Sequence, residues 1–165
     1  MTNRRKVLIT GGAGLVGSVL TARLSDHYDF TSFDLKAADN ARSVIGDLSD
    51  IAAVESAFSG QDAIIHLAAD RNADAKWESA LRNNLIATYN VFEAAKRTGV
   101  KRVVFASSQH ATGGFYLDEP WRHIVAGEYD RLNHGEYPLL DETCLLRPDG
   151  YYGASKAYGE ALGSY

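Results

Sequence analysis

The stretch Thr10–Gly17 reads TGGAGLVG and stands between an apolar run, KVLIT at 6–10, and a helical pattern at about 14–26. Its glycines match two spacings at once. Gly12, Gly14 and Gly17 fit G-x-G-x-x-G, and Gly11, Gly14 and Gly17 fit the variant spaced by three. The chemistry is the same in both: a tight turn and a close backbone approach need no Cβ, and the helix that follows offers free N–H groups to a phosphate. Arg4, Arg5 and Lys6 ahead of the apolar run superficially resemble the start of a secretory signal, but four glycines inside VLITGGAGLVGSVL are better explained by the phosphate turn. Such a turn alone also serves merely to pack a helix on a strand, so its reading depends on what lies further out.

Outward from it, short β-like runs alternate with longer helical stretches. Strands are expected at 6–10, 30–34, 43–46, 63–68 and 102–107, and several are apolar on consecutive positions, as strands buried on both faces should be. Helices are expected at about 14–26, 50–58 and 75–98, with one beginning near 150. In the longest, Trp77, Leu81, Leu85, Tyr89 (or Thr88) and Phe92 recur every three or four residues, and Gly99 is a natural stop. The alternation means βαβ units and a parallel, doubly wound sheet. Residues 113–149 break it and read as a long loop. Asp34 ends the second strand 20 residues after Gly14, where a carboxylate accepts hydrogen bonds from a ribose 2′-hydroxyl. Together with the glycines this indicates a dinucleotide, and a carboxylate there repels a 2′-phosphate, favouring NAD over NADP.

The totals are compatible with that. At 165 residues, 45% hydrophobic and 23% charged, the chain has the size and composition of one soluble domain. A net charge of −4 gives no footprint for nucleic acid. The acidity is concentrated in residues 115–149, with eight acids against three bases, leaving 13 acids against 14 bases elsewhere. Cys144 is the single cysteine, so no internal disulfide and no metal site are expected, and a reducing cytoplasm fits. No stretch approaches membrane-spanning length.

Two stretches carry reactive groups. The fifth strand runs into SSQHATG, placing Ser107 and Ser108 at the sheet edge where doubly wound folds bind ligands. Near the end stands YYGASK, 151–156. Lys156 is four residues from Tyr152, so a helix puts both on one face, whereas Tyr151 is five away and points elsewhere. A free phenol has a pKa of about 10, and a nearby ammonium favours its ionised form.

TGGAGLVG, the strand-ending Asp34, GDLSD (46–50), HLAA (66–69), NNLIAT (83–88), VVFASS (103–108) and YYGASK together resemble the extended short-chain dehydrogenase/reductases of the NAD-dependent epimerase/dehydratase family. The resemblance implies a Rossmann-type domain over 1–165, with NAD as cofactor. It implies a catalytic set of Ser108, Tyr152 and Lys156. Cofactor contacts would come from Gly11, Gly14, Leu15, Val16, Gly17 and Asp34, from Asp47 and Leu48 at the adenine, and from Ala68 and Ala69 along the cofactor backbone. Asn84 would stand on the nicotinamide side, with Tyr152 and Lys156 close by. SSQHATG is similar to the S-S-Asn-His-x-x-Gly of uronate dehydrogenases and related C1 sugar dehydrogenases, so Gln109 and His110 would touch a sugar, as would Ser108. Arg71 would meet a carboxylate or phosphate on it.

The expected activity is therefore that of an NAD-dependent sugar or sugar-acid dehydrogenase, with Tyr152 as general base. A nucleotide-sugar epimerase or dehydratase is the alternative, and a non-catalytic dinucleotide-binding module a third reading. A homodimer through the 75–98 helix and the helix near 150 is expected by the same resemblance. The chain departs from the family in two respects. Ser108 and Tyr152 are 44 residues apart, the excess being the acidic loop, whose Phe115, Tyr116, Trp121, Tyr129 and Tyr137 form either a lid or, preferably, a satellite core. The family's C-terminal substrate region is also expected to be missing after the Tyr-x-x-x-Lys helix, leaving the short chain weak in NAD binding and without turnover.

Overall fold

The computed structural model describes residues 4–132 and 139–165. Five strands, β1 (Arg5–Thr10), β2 (Tyr28–Asp34), β3 (Arg42–Ile45), β4 (Ala63–His66) and β5 (Val103–Phe105), form one sheet in the order β3-β2-β1-β4-β5. All neighbours are parallel, with Ile9 opposite Ser32 on one side and Ile65 on the other. The parallel sheet is that read from the alternation, and the Rossmann-like fold is that implied by the resemblance.

Burial on both faces explains the consecutive apolar residues. Leu8, Phe33 and Ile64 project to one side, where they pack with Val54 and Phe58 of α2 (Ile51–Phe58) and with Val91 of α4 (Ala87–Thr98). Val7, Ile9 and Phe30 project to the other, against Leu20 and Leu24 of α1 (Leu15–Leu24). A buried side chain of this size contributes about 1.5–3 kcal/mol by leaving water. Local signals set the helix ends: Asp50 accepts from the N–H groups of Ala52 and Ala53, capping α2, and Gly99 closes α4 at φ +76°.

The 75–98 stretch is not one regular helix. It begins as α3 (Trp77–Ala80), widens into a π-helical turn over Leu81–Ile86, and continues as α4. The wide turn carries Asn84, whose buried amide bridges two other parts of the chain, as described below. β4 and β5 are also shorter than expected. Beyond them the chain leaves the sheet: Leu67 N donates to Thr10 O, and the Ser107 hydroxyl is taken by Glu160.

The described residues of the 113–149 segment are more regular than a loop. They hold a 3-10 turn at Gly113–Leu117, a short helix α5 (Trp121–Val125) and another 3-10 turn at Tyr129–Arg131. Phe115 packs on Trp121 with centroids 5.3 Å apart, and the Arg147 guanidinium stands 5.5 Å from the Phe115 ring while pairing with Asp118. These contacts join half-buried side chains; Tyr129 is exposed outside them, and Tyr137 lies outside the described residues. The segment's far end is tied back by Gly114 N to Arg147 O (2.7 Å) and Arg147 N to Ala111 O (2.9 Å). It then enters the last helix, α6 (Tyr151–Ser164), which packs on β5 and α4. Among the described residues no helix is long and apolar enough to cross a membrane.

Candidate functional site

The C-terminal ends of the strands enclose a cavity of ≈ 700 Å³. One wall is the glycine turn. Gly11 adopts φ +73°, and a Cβ on it would stand 2.8 Å from Ala68 N, whereas one on Gly17 would stand 2.6 Å from Gly12 Cα. Only glycine fits either place. Gly14 is the N-cap of the ten-residue α1, with no side-chain cap and no acid in the first turn. The first N–H groups of α1 are thus free for an anion, and Leu15, Val16 and Gly17 line the cavity with them.

Asp34 lies across that turn. One carboxylate oxygen accepts from Ala13 N at 3.1 Å, which leaves the other for a ligand hydroxyl. Leu48, Ala68 and Ala69 line the cavity as well. Asp47 is there too, but its carboxylate is already engaged by Arg82 (2.7 Å) and Ser49 N (2.8 Å). The Arg82 hydrogen bond and the Ser49 N–H hold its pKa down at about 2.

The opposite wall is the reactive one. Tyr152 and Lys156 both line the cavity, while Tyr151 turns away to stack on Trp77 at 5.5 Å. Lys156 is buried, donates from Nζ to Ala106 O at 2.8 Å, and lies 4.8 Å from the Phe105 centroid and 5.7 Å from that of Tyr152. Burial lowers its pKa from 10.5 to about 8. An ammonium fixed in this way stabilises negative charge on a neighbouring phenol oxygen.

A free helix N-terminus, the carboxylate that ends β2 and a Tyr–Lys pair thus face one crevice. A family model described as the NAD dependent epimerase/dehydratase family matches residues 7–165. The chain belongs to this family. Among its relatives are an L-arabinose 1-dehydrogenase (NAD(P)(+)) and an NAD-dependent glucose-6-phosphate dehydrogenase of Haloferax volcanii, each 37% identical; these matches cover 97% and 96% of this chain and 60% and 62% of the relatives. A uronate dehydrogenase of Pseudomonas putida is 34% identical over 97% of this chain and 54% of its own. The crystal structure of uronate dehydrogenase from Agrobacterium tumefaciens superposes with a TM-score of 0.74 at 34% identity, covering 96% of this chain and 54% of that one. The chain thus spans a little over half the length of these family members.

Not every expected family residue reaches the cavity. Asn84 does not: its Oδ1 accepts from Asp70 N (2.7 Å), and its Nδ2 donates to Asp70 O and to Ser155 Oγ, both at 3.0 Å. It ties the loop after β4 to α6, and the neighbouring Asn83 lines the cavity instead. Ser108 is outside the lining as well. Its Oγ accepts from His110 N at 3.3 Å, which leaves its hydroxyl hydrogen free, whereas Ser107 lines the cavity with its hydroxyl held by Glu160. Gln109 is exposed on the turn that follows. Arg71 lines the cavity mouth, exposed and without an acidic partner among the described residues.

The residues that the sequence did not single out are Arg82, Glu160, Asp149 and the buried His66. None sits at a diagnostic spacing. Each acts on a residue 22 or more positions away, as with Ser107 and Glu160, and only the fold brings the partners together.

Proposed function

We propose that this chain is the cofactor-binding and proton-transferring part of an NAD-dependent dehydrogenase that oxidises C1 of a sugar or sugar acid. The observation that carries the reading is the placement of Tyr152 and Lys156 on one wall of a crevice whose other wall is the open N-terminus of α1. The names of the relatives support the substrate class. Bound NAD supplies the hydride acceptor. Gly11, Gly14 and the first turn of α1 hold its pyrophosphate, and Asp34 accepts from the adenosine ribose.

The remaining chemistry belongs to the chain's own side chains. The Tyr152 phenol oxygen takes the proton of the hydroxyl that is oxidised, and the Lys156 ammonium stabilises the charged phenol before that transfer. Ser108, with its hydrogen free, donates to the reacting oxygen. Gln109 and His110 on the adjoining turn meet further hydroxyls, and Arg71 at the mouth meets an acidic substituent. A cytoplasmic location and pairing of two chains belong to the same reading, the pairing being supported by exposed Trp77, Ile86, Tyr89 and Tyr151 on the helices concerned.

The test is absorbance of NADH when the chain, extended to the length of its relatives, is given NAD and a panel of free aldoses, uronates and sugar phosphates. Net NADH from a free sugar is the expected result. Interconversion of nucleotide sugars without net NADH would replace the reading by an epimerase, and cofactor binding without any turnover by a binding module.

Asp34 carries a separate expectation. NAD should bind at least about tenfold tighter than NADP, roughly 1.4 kcal/mol, because the free carboxylate oxygen accepts from a 2′-hydroxyl and repels a 2′-phosphate. Paired titrations of the wild type and Asp34→Asn check it: the preference should shrink in the variant, and equal affinities in the wild type would show that Asp34 does not face the ribose.

A further inference from the structure

Asp149 is the last acid before α6, and it stands against His110 of the turn after β5. Its Oδ2 is 2.7 Å from His110 Nδ1. The two segments are pressed together without side chains between them: a Cβ on Gly153 would collide with His110 O, and one on Gly113 with the Asp149 carboxylate. His110 N is hydrogen-bonded to Ser108 Oγ at 3.3 Å, and the ring stands edge-on to Tyr152 with centroids 5.5 Å apart at 67°. Both side chains remain about 30% exposed, so solvent reaches the pair, which is not sealed in the core.

We propose that Asp149 is a positioning residue that fixes the tautomer of His110. A carboxylate only accepts, so Nδ1 carries the hydrogen, and in the neutral ring Nε2 is left as a bare acceptor. With Nδ1, the backbone N–H and the ring edge all engaged, Nε2 is the one ring nitrogen free for a ligand. The ring that carries it stands 5.5 Å from that of Tyr152, which lines the cavity together with the Lys156 ammonium. A ligand rich in hydroxyl donors is what such an acceptor selects. This last step rests on the proposed sugar substrate: His110 Nε2 accepts from a hydroxyl next to the oxidised carbon, so the site discriminates against sugars that lack it. Sites that hydrogen-bond a hydroxyl disfavour analogues without one, because that hydrogen bond is then lost.

Two measurements test this, and the first does not depend on the substrate. Long-range nitrogen–proton NMR of the His110 ring, at mildly alkaline pH, should show hydrogen on Nδ1 in the wild type and in Asp149→Asn, whose amide oxygen still accepts. Asp149→Ala should shift the hydrogen toward Nε2. A wild-type ring protonated at Nε2, or a tautomer unmoved in Asp149→Ala, overturns the proposal. If Asp149→Ala does not fold, the wild-type and Asp149→Asn spectra alone decide.

The second measurement is kinetic. Asp149→Ala should raise KM for the sugar roughly three- to tenfold with NAD affinity unchanged, and Asp149→Asn should recover most of the loss. A deoxy sugar lacking the neighbouring hydroxyl should respond to neither substitution. An unchanged KM alongside the expected tautomer shift would overturn the sugar contact while leaving the Asp149–His110 assignment in place. Absence of sugar turnover in the wild type would instead count against the proposed function.

Discussion

Tyr152→Phe is expected to lower sugar-dependent NADH formation by about a hundredfold to ten-thousandfold, the usual contribution of a positioned general base, with NAD affinity changed less than about threefold. The substitution removes one oxygen and leaves the ring. The edge contact with His110 at 5.5 Å is therefore kept, as are the Lys156 hydrogen bond to Ala106 O and the whole glycine turn on the far wall. Tyr151→Phe is the matched control. Its ring lies on Trp77, away from the cavity, so its turnover should stay within about twofold of the wild type. Steady-state rates paired with cofactor titrations decide the matter. Turnover that survives in Tyr152→Phe, or a loss of equal size in Tyr151→Phe, would remove Tyr152 from the mechanism.

The second large effect is on stability in acid, and it comes from His66. This ring is fully buried between Thr10 and Thr88, with Nδ1 at 2.7 Å from Thr10 Oγ1 and Nε2 at 3.1 Å from Thr88 Oγ1. Two hydroxyls satisfy a neutral imidazole in either tautomer, because a hydroxyl both donates and accepts. Burial, aided by the nearby charge of Lys156, lowers its pKa from 6.5 to about 3. The folded pKa is below the unfolded one, so between these values the unfolded chain holds a proton that the folded chain does not. Stability is thus complete above about pH 6.5 and falls with pH at up to about 1.4 kcal/mol per unit, a loss of roughly 4–5 kcal/mol by pH 3. Domains of this size are stable by only about 5–15 kcal/mol.

Denaturant titrations across that range, for the wild type and His66→Gln, isolate the contribution. The variant should be less stable at neutral pH and have a shallower acid limb. Parallel limbs would mean that His66 takes up its proton without unfolding the chain. Because Thr10 ends the strand that leads into the glycine turn, acid should also weaken cofactor binding before global unfolding.

These two residues differ in how far the sequence alone discloses them. Tyr152 was legible because its partner is four residues away on one helix, where spacing and geometry are nearly the same thing. The glycine turn was legible for a similar reason: Gly11, Gly14 and Gly17 act within one turn of chain. Asp34 was found through its position at a strand end. His66 was visible only as part of HLAA. Its role depends on hydroxyls 56 and 22 residues away, and nothing local distinguishes it from a solvent-exposed histidine.

Asn84 differs in another way. It was expected at the cofactor, but the π-helical turn at Leu81–Ile86 directs its amide to Asp70 and Ser155. Periodicity does not reveal a local widening of a helix, since the apolar stripe continues on either side of it. The acidic segment misled in another way. Its aromatics announced a small core, but its turns and short helix depend on Arg147 returning to Phe115 and Asp118 across about thirty residues.

By itself, then, the sequence determined the parallel α/β class, the glycine turn after the first strand, the acid at the end of the second strand and the placing of Tyr152, not Tyr151, on the face of Lys156. All of these rest on interactions within a few residues, where chain geometry leaves one arrangement. The tertiary structure alone decided the strand order, the neutrality of His66, the occupation of Asp47 by Arg82 and the pairing of Asp149 with His110. Those are contacts between segments that meet only after the sheet has formed. Hydrophobic burial drives that meeting without direction, and it specifies that the segments pack but not which polar atoms end up face to face.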